Sequence, residues 1–226
     1  MRIAIHQPQF LPWLGYLDKI DRADLFVVLD SVQFKKNEWQ NRNRIRTDRG
    51  WQWLTVPVLH RFGQRIDEVK INDTVDWRRK HLHAIELAYA RAAHRDQVAN
   101  GLAAIYRQPC DKLADVNLAV LRWLLESFHI KTQLRLASEM TLRDEPTERL
   151  IDICRAAGAT TYLAGAGARE YMDVRKFEAS GVRLEFQEFR HPTYRQCHEP
   201  FVPNLSAIDL FLTCGPEAFQ IVRQMR

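Results

Sequence analysis

The sequence predicts an α/β protein built on a mainly parallel sheet with flanking helices. Two observations lead to that class. Apolar runs at 2–6 and 24–30 enclose a stretch with helical spacing, which predicts a β-α-β unit. Pro146 is typical of a helix start and Gly158 of a helix end, and a short apolar strand at 161–164 follows them. Strands that alternate with helices form parallel sheets through right-handed crossovers.

The remaining elements are predicted from local patterns. The turn signal Asp48-Arg49-Gly50 separates two extended runs and predicts a β-hairpin near 42–58. Apolar spacing predicts a helical insertion near 76–128, so we expect one domain over 1–226 that contains this insertion. Further strands are predicted at 132–138 and 182–189, and further helices at 14–22, from 168, at 205–215 and from 216.

Composition narrows the class of protein. The chain has 226 residues, is 46% hydrophobic and carries a formal net charge of +5, which fits a globular protein with a mildly basic surface or a phosphate-bearing partner. No apolar run is long enough to span a membrane, and no signal-peptide pattern opens the chain. The four cysteines are scattered without a C-x-x-C pair, so we predict reduced thiols, no metal site and a cytoplasmic location.

The first predicted strand ends at His6, and the proline-containing segment after it is rigid. Ligands of open α/β proteins bind at the carboxyl ends of the strands, and His6 and Gln7 stand at such an end. A structural histidine bonded to backbone is one interpretation, but the position favours a general base or a donor to a substrate oxygen. Asp30 ends the second strand, so we expect Asp30 and Gln33 at the same edge.

The segment Trp13-Leu14-Gly15-Tyr16 opens the first helix. Its position resembles that of the His-x-Gly-His segment of aminoacyl-tRNA synthetases and nucleotidyltransferases, of which it shares only the glycine. A glycine there would let a phosphate or carboxylate approach the free N–H groups of the helix N-terminus. Packing of the helix on the sheet is the alternative. Gly15 and Tyr16 are therefore candidate substrate-binding residues.

Four arginines follow at 42–49, among asparagines and near three tryptophans. Arginine beside aromatic faces binds phosphates, nucleotides or single-stranded nucleic acid. Charge that protects an exposed strand edge from aggregation is an equally supported interpretation. Asn41 and Arg42 lie nearest in sequence to the proposed edge, so we predict that they bind substrate and that Arg42 matters more than Arg49.

The segment 189–201 follows the last predicted strand and is expected at the same edge of the sheet. His191 and Gln196 are candidate substrate-binding residues, and Tyr194 is predicted to donate a hydrogen bond to a substrate oxygen. If the loops after the first and last strands open on one pocket, His6 and Tyr194 form the catalytic pair.

Six segments in order along nearly the whole chain resemble the WbqC-like family. The opening segment is the most specific, and the helical middle is the least distinctive. The segments are HQPQFLPWLGYLDKI, VLDSVQFKKNEWQNRNRI, WLTVPV, YLAGAGAREYM, HPTYRQ and LSAIDLFLTCGPEA. The resemblance implies transfer chemistry in bacterial surface-polysaccharide (O-antigen) biosynthesis, with aminoacyl, in particular glycine, transfer to sugars suggested for the family.

We therefore expect a transferase that places an acyl or aminoacyl group on the amine of a nucleotide-linked amino sugar. The donor would be an acyl-CoA or an adenylate. The alternative is a non-catalytic nucleotide- or RNA-binding α/β module that uses the arginine hairpin and the Gly15 helix end. Nucleic-acid binding should weaken steeply with salt and need several arginines together, whereas transfer should depend on single polar residues.

Overall fold

The computed structural model describes residues 1–170 and 172–226, and a parallel sheet of five strands forms its centre. The predicted α/β class is confirmed. The strands are β1 (Arg2–His6), β2 (Leu25–Val28), β3 (Arg42–Thr47), β4 (Gly50–Thr55), β5 (Val58–Leu59), β6 (Lys70–Ile71), β7 (Gln133–Leu136), β8 (Thr161–Ala164) and β9 (Arg183–Phe186). The helices are α1 (Leu14–Asp21), α2 (Trp77–Ala88), α3 (Arg95–Tyr106), α4 (Leu113–Ser127), α5 (Pro146–Ala156), α6 (Val174–Ser180), α7 (Ile208–Cys214) and α8 (Phe219–Arg223).

The order of strands in the central sheet is β7-β2-β1-β8-β9, and each neighbouring pair is parallel. The chain therefore builds outward from β1 to β2 and β7, then returns to the other side of β1 and builds outward again through β8 and β9. This reversal makes the fold a doubly wound sheet, with its topological switch point between β1 and β8.

Both faces of the central sheet are covered by helices. Successive side chains of a strand point to opposite faces, so Ala4 packs with Leu17 of α1, whereas Ile3 and Ile5 pack with Ile153 of α5. This alternation explains why β1 has an apolar run rather than a polar–apolar pattern, as buried parallel strands do. The predicted helical segment 76–128 contains α2, α3 and α4, whose apolar residues join the cluster on the Ala4 face.

The hairpin predicted at 42–58 forms, but as a separate two-stranded sheet of β3 and β4. Its second strand stops at Thr55, because Pro57 has no N–H to continue a ladder. The following Val58–Leu59 pairs instead with Lys70–Ile71, an antiparallel pair that local patterns did not predict.

The helix predicted from 168 is divided. A 3-10 turn covers Ala166–Glu170, and α6 begins only at Val174, where the Asp173 side chain accepts a hydrogen bond from the Arg175 N–H. The predicted start near 168 missed this cap. Within residues 1–170 and 172–226, no helix combines the length and the apolar character needed to cross a bilayer.

Candidate functional site

The topological switch point lies between β1 and β8 of the sheet. The pairing of β1 with β8 runs only from Arg2–Thr161 to Ala4–Leu163, although β1 continues to His6. Ala164, the next residue of β8, pairs with Phe186 of β9 on its far side. The two strands therefore part before their ends, at the place where doubly wound proteins bind ligands.

The amine of Lys19 is buried near the carboxyl edge of the sheet. Lys19 is on α1 with only 2% of its surface exposed, and its Nζ donates to the Ile5 carbonyl at 3.1 Å. A side chain at Gly165, just after β8, would begin 3.8 Å from that Nζ. Burial lowers the pKa of Lys19 from 10.5 to about 7, because the charged form loses its hydration. A substantial fraction of Lys19 is therefore uncharged near neutral pH.

No carboxylate in the described residues forms an ion pair with Lys19. The neighbouring Asp18 is fully buried, but its oxygens contact Arg22, Arg226 and the Gln187 side chain instead. An opposite charge within hydrogen-bond distance would have kept the pKa of the amine high. The arrangement therefore leaves the buried amine without an opposite charge to hold its proton near neutral pH.

His6 is the last residue of β1, and the hydrogen bond of its ring defines its tautomer. Its Nδ1 lies 3.0 Å from the Gln7 carbonyl oxygen, which can only accept, so Nδ1 carries the proton and Nε2 holds the lone pair. Burial, and then the charge of Lys19, lower the pKa of His6 from 6.5 to about 3. The expectation of a histidine base with a pKa near neutrality is therefore wrong. His6 is a neutral hydrogen-bond acceptor at cellular pH, and Lys19 has the matched pKa.

A cavity of about 230 Å³ opens beside His6. Its lining consists of two segments, one after β1 and one before β3: His6, Gln7, Pro8, Gln9, Lys35, Glu38, Trp39 and Gln40. Gln40 accepts from the Lys35 N–H at 2.9 Å and donates to the Gln7 side-chain oxygen at 2.7 Å. These two bonds set the orientation of both amides, which leaves the Gln7 amino group as a donor.

Gln9 is the least satisfied polar residue of this cavity. It is 7% exposed, and its Oε1 is buried without a hydrogen-bond partner among the described residues. An unpaired buried amide oxygen costs about 1–3 kcal/mol, so natural proteins seldom keep one without a reason. A ligand that donates an N–H or O–H in the cavity would satisfy it.

Two of the predicted binding residues near this edge, Asp30 and Gln33, bond other parts of the protein instead. Asp30 is buried and accepts from the Ser138 N–H at 2.8 Å and from its hydroxyl at 2.7 Å, which joins the ends of β2 and β7. Gln33 is exposed and forms a backbone bridge with Arg65. Neither lines the cavity beside His6.

Tyr16 contacts both Gln7 and His6. Its hydroxyl donates to the Gln7 carbonyl at 3.2 Å, and its ring meets the His6 ring edge-on at a centroid distance of 5.1 Å. Burial raises the pKa of Tyr16, so the hydroxyl stays protonated. Tyr16 therefore positions His6 and Gln7, and its buried hydroxyl is already engaged.

Gly15 makes room for the indole of Trp13. A Cβ at Gly15 would lie 2.4–2.7 Å from atoms of that ring, and the ring also contacts Phe189 edge-on. The expectation that a ligand approaches the helix through Gly15 is wrong, because the tryptophan occupies that space.

Gly15→Ala is expected to destabilise the protein by about 1–3 kcal/mol, because the indole must move in a packed core. Gly167→Ala is the matched control: nothing lies within 4 Å of a Cβ there, so we expect a change below about 0.5 kcal/mol. Denaturant unfolding measures both. A stable Gly15→Ala variant that loses only ligand binding would restore the ligand interpretation.

Asn41 and most hairpin arginines are engaged within the protein. Asn41 is buried and bonds the Val56 carbonyl and the Asn37 N–H. The Arg42 guanidinium stacks 4.1 Å from the Trp53 ring centre. Arg46 is 1% exposed and donates to the carbonyls of Thr47, Gly50 and Pro200, and Arg44 lies over tryptophan rings. Arg49 is exposed at the hairpin tip, so we now expect Arg49 to contact ligands more readily than Arg42.

The residues predicted in 189–201 form a buried network around Asp209 of α7. Tyr194 donates to Asp209 at 2.8 Å, Gln196 at 2.9 Å and Tyr89 at 2.7 Å. The His191 ring stacks against Tyr194 and bonds the Pro192 carbonyl. The strands β1 and β9 are parallel members of one sheet, as expected, but Tyr194 does not line the cavity of His6. The proposed catalytic pair is therefore not assembled.

Lys19, Gln9 and Gln40 were not predicted as site residues. Lys19 had one signal: a cation within a short helix whose neighbours Leu17 and Ile20 are apolar. Gln9 lies in the quoted opening segment, but no local pattern shows that its amide is unpaired. Burial raises the pKa of the Cys110 thiol, which donates to the Lys112 carbonyl. The described part of the chain contains no cluster of three or more His, Cys, Asp or Glu suited to a metal ion.

Fold and site together define a doubly wound α/β protein with a polar site at the carboxyl end of β1. A model of the WbqC-like protein family matches residues 7–221, and the chain belongs to that family. It is 38% identical to "Uncharacterized protein Rv1507c" of Mycobacterium tuberculosis (strain ATCC 25618 / H37Rv), over 100% of this chain and 99% of that protein. No solved structure matches the chain.

Proposed function

We propose that the protein is a cytoplasmic transferase that places an acyl or aminoacyl group, such as glycine, on the amine of a nucleotide-linked amino sugar for surface polysaccharide. The observation that carries this proposal is the polar cavity beside His6, in which the Gln9 Oε1 is buried without a partner among the described residues. The base that we propose is the buried amine of Lys19, whose pKa burial lowers to about 7. Membership of the WbqC-like family supports the substrate class, and the cavity beside His6 is suited to a small polar ligand.

The roles in this reaction follow from protonation states. The acceptor amine attacks the carbonyl carbon of the acyl donor, an acyl-CoA or an adenylate; the new C–N bond forms as the bond to the leaving group breaks. The proton that the amine releases passes to the neutral Lys19 Nζ. His6 Nε2 accepts an N–H of the attacking amine and orients its lone pair, and the Gln7 amino group donates to the developing oxyanion.

Gln9 contributes to binding of the acceptor. Its unpaired Oε1 would accept a hydroxyl or amine proton of the sugar, and Trp39 on the rim offers an aromatic face. Because no residue in the described part of the chain bonds this oxygen, the new hydrogen bond is gained without breaking another one there.

The alternative, a nucleotide- or RNA-binding module anchored on the arginine hairpin and the Gly15 helix end, has less support. Trp13 occupies the space at Gly15, and Arg42 and Arg46 are held by a tryptophan ring and by backbone carbonyls. A nucleic-acid surface made of several hairpin arginines would need those side chains free.

Gln9→Leu is expected to raise the KM for the amino-sugar acceptor at least about tenfold, equivalent to about 1.4 kcal/mol, without lowering stability. The variant places an apolar side chain of similar size there and removes an unsatisfied buried amide, so the melting temperature should stay constant or rise. Mass spectrometry of reactions that pair acyl-CoA or aminoacyl-adenylate donors with nucleotide-linked amino sugars measures the transfer.

The matched control is Gln220→Leu, an exposed glutamine on α8, for which we expect no change in KM. If folded wild-type protein yields no acylated sugar with any donor and acceptor pair, the transferase proposal is wrong. If transfer occurs but Gln9→Leu leaves KM unchanged, the acceptor binds elsewhere.

A further inference from the structure

A second and larger cavity lies on another side of the molecule. Its volume is about 970 Å³, and it is a groove between the tip of the β3–β4 hairpin, one side of α2 and the segment at 197–198. It shares no lining residue with the cavity beside His6. Its volume falls in the range of ligand-binding clefts. An inference about this groove therefore rests on different residues from those of the proposed function.

The groove concentrates positive charge. Arg49 from the hairpin tip, Lys80 from α2 and Arg91 from the segment after α2 line it, and all three are exposed. No salt bridge or hydrogen bond engages these three side-chain cations within the described residues, whereas their neighbours Arg78 and Arg79 pair with aspartates. Asp48 is the one carboxylate in the lining. Unpaired cations in a concave site attract an anion with several negative oxygens.

One aromatic face in the groove is open. Trp51 is 43% exposed, and the rest of its ring is held in place: the Arg44 guanidinium lies 5.0 Å from the ring centre, and Trp53 meets it edge-on at 5.4 Å. A fixed indole with a free face stacks a planar ring at little entropic cost. Leu87, 67% exposed, adds an apolar wall.

His198 adds a polar group of known tautomer. Its Nε2 lies 3.2 Å from the Ala88 carbonyl, so Nε2 carries the proton and Nδ1 is an acceptor, for example for a hydroxyl or an amino group. The groove thus presents cations, a stacking platform and an acceptor, which are the groups that recognise phosphate, a base and a sugar.

We propose that this groove binds a nucleoside diphosphate, with its phosphates on Arg49, Lys80 and Arg91 and its base on Trp51. A phosphate ion or pyrophosphate would use the cations and leave the exposed indole without a role. A long single strand of nucleic acid would need a continuing track of free cations, but Arg42, Arg44 and Arg46 of the same hairpin are engaged with rings and carbonyls.

Calorimetric titration of the full chain with ADP, UDP, pyrophosphate and a twelve-nucleotide single-stranded DNA tests the proposal. We expect either diphosphate nucleotide to bind with a dissociation constant below about 1 mM. Arg49→Ala and Lys80→Ala should each weaken that binding at least about tenfold. Trp51→Ala should weaken the nucleotides and leave pyrophosphate unchanged. These residues are exposed, so the variants should fold as the wild type does.

The matched control is Arg122→Ala, an exposed arginine of α4 that does not line the groove, and it should bind nucleotides as the wild type does. Equal affinity for pyrophosphate and nucleotides, unaffected by Trp51→Ala, would reduce the groove to a phosphate site and overturn the proposal. Tighter binding of the DNA strand with a steep salt dependence would assign the surface to nucleic acid instead. Absence of nucleotide binding would also overturn it.

Discussion

Lys19→Met is expected to abolish acyl transfer and, at pH 6, to make the folded protein more stable. The amine is the proposed proton acceptor, and methionine fills a similar volume without a group that can take a proton. Burying the lysine costs free energy as long as its amine is charged, and methionine removes that cost together with one hydrogen bond to Ile5. An activity loss without a stability loss would distinguish a functional lysine from a structural one.

The size of the stability change expected for Lys19→Met depends on pH. Between about pH 7 and 10.5 the unfolded chain keeps the Lys19 proton and the folded chain has lost it, so the unfolding free energy of the wild type rises with pH. Below about pH 7 both states are protonated, and the full cost is present. The gain in unfolding free energy from Lys19→Met should therefore shrink above pH 7. The decrease is at most about 5 kcal/mol, the free energy that corresponds to the change in the Lys19 pKa from 10.5 to about 7.

Denaturant unfolding at several pH values and a pH–rate profile measure these effects. Wild-type transfer should increase through about pH 7 as Lys19 deprotonates. Lys131→Met, on an exposed lysine, is the matched control and should change neither stability by more than about 0.5 kcal/mol nor activity. A Lys19→Met variant that transfers acyl groups at the wild-type rate would remove Lys19 from the mechanism.

Asp209→Ala is expected to lower the unfolding free energy by about 3–5 kcal/mol, the largest stability loss that we expect from a single polar residue. Asp209 is fully buried and accepts hydrogen bonds from Tyr89, Tyr194 and Gln196. Removal of the carboxylate leaves three buried donors without this partner and opens a cavity. Chemical denaturation monitored by tryptophan fluorescence measures the loss.

Asp144→Ala is the control, because Asp144 is exposed and its contact with Arg149 is a surface ion pair, worth less than about 1 kcal/mol. Tyr194→Phe gives a second readout. It should cost about 1–3 kcal/mol but leave the rate of transfer per folded molecule unchanged. A selective loss of rate in Tyr194→Phe would return Tyr194 to the catalytic role that the sequence suggested.

Most of the fold could be predicted because its signals are local. The apolar runs of β1 and β2, the proline that begins α5 and the turn at Asp48-Arg49-Gly50 each act within a few residues. Where a local signal was weak, as in the pairing of Val58–Leu59 with Lys70–Ile71, the prediction missed the element. The position of His6 at a strand end was predicted for the same reason.

The chemical state of the site could not be predicted, because it depends on contacts between distant segments. His6 was predicted to titrate near neutrality, but α1 brings a buried lysine beside it, and the two pKa values move to about 3 and about 7. The sequence shows that Tyr194 carries a hydroxyl. Only its packing against α7 determines that this hydroxyl donates to Asp209.

The sequence by itself determined the α/β class, the family, and the placement of His6 and Gln7 at the carboxyl edge of the sheet. Only the tertiary structure decided which polar groups are already satisfied. It paired Asp30 with Ser138 and covered Gly15 with Trp13. Among residues 1–170 and 172–226, it left Lys19 without a carboxylate and the Gln9 oxygen without a donor. Desolvation and hydrogen bonding act through space, so they depend on neighbours that the order of residues along the chain does not reveal.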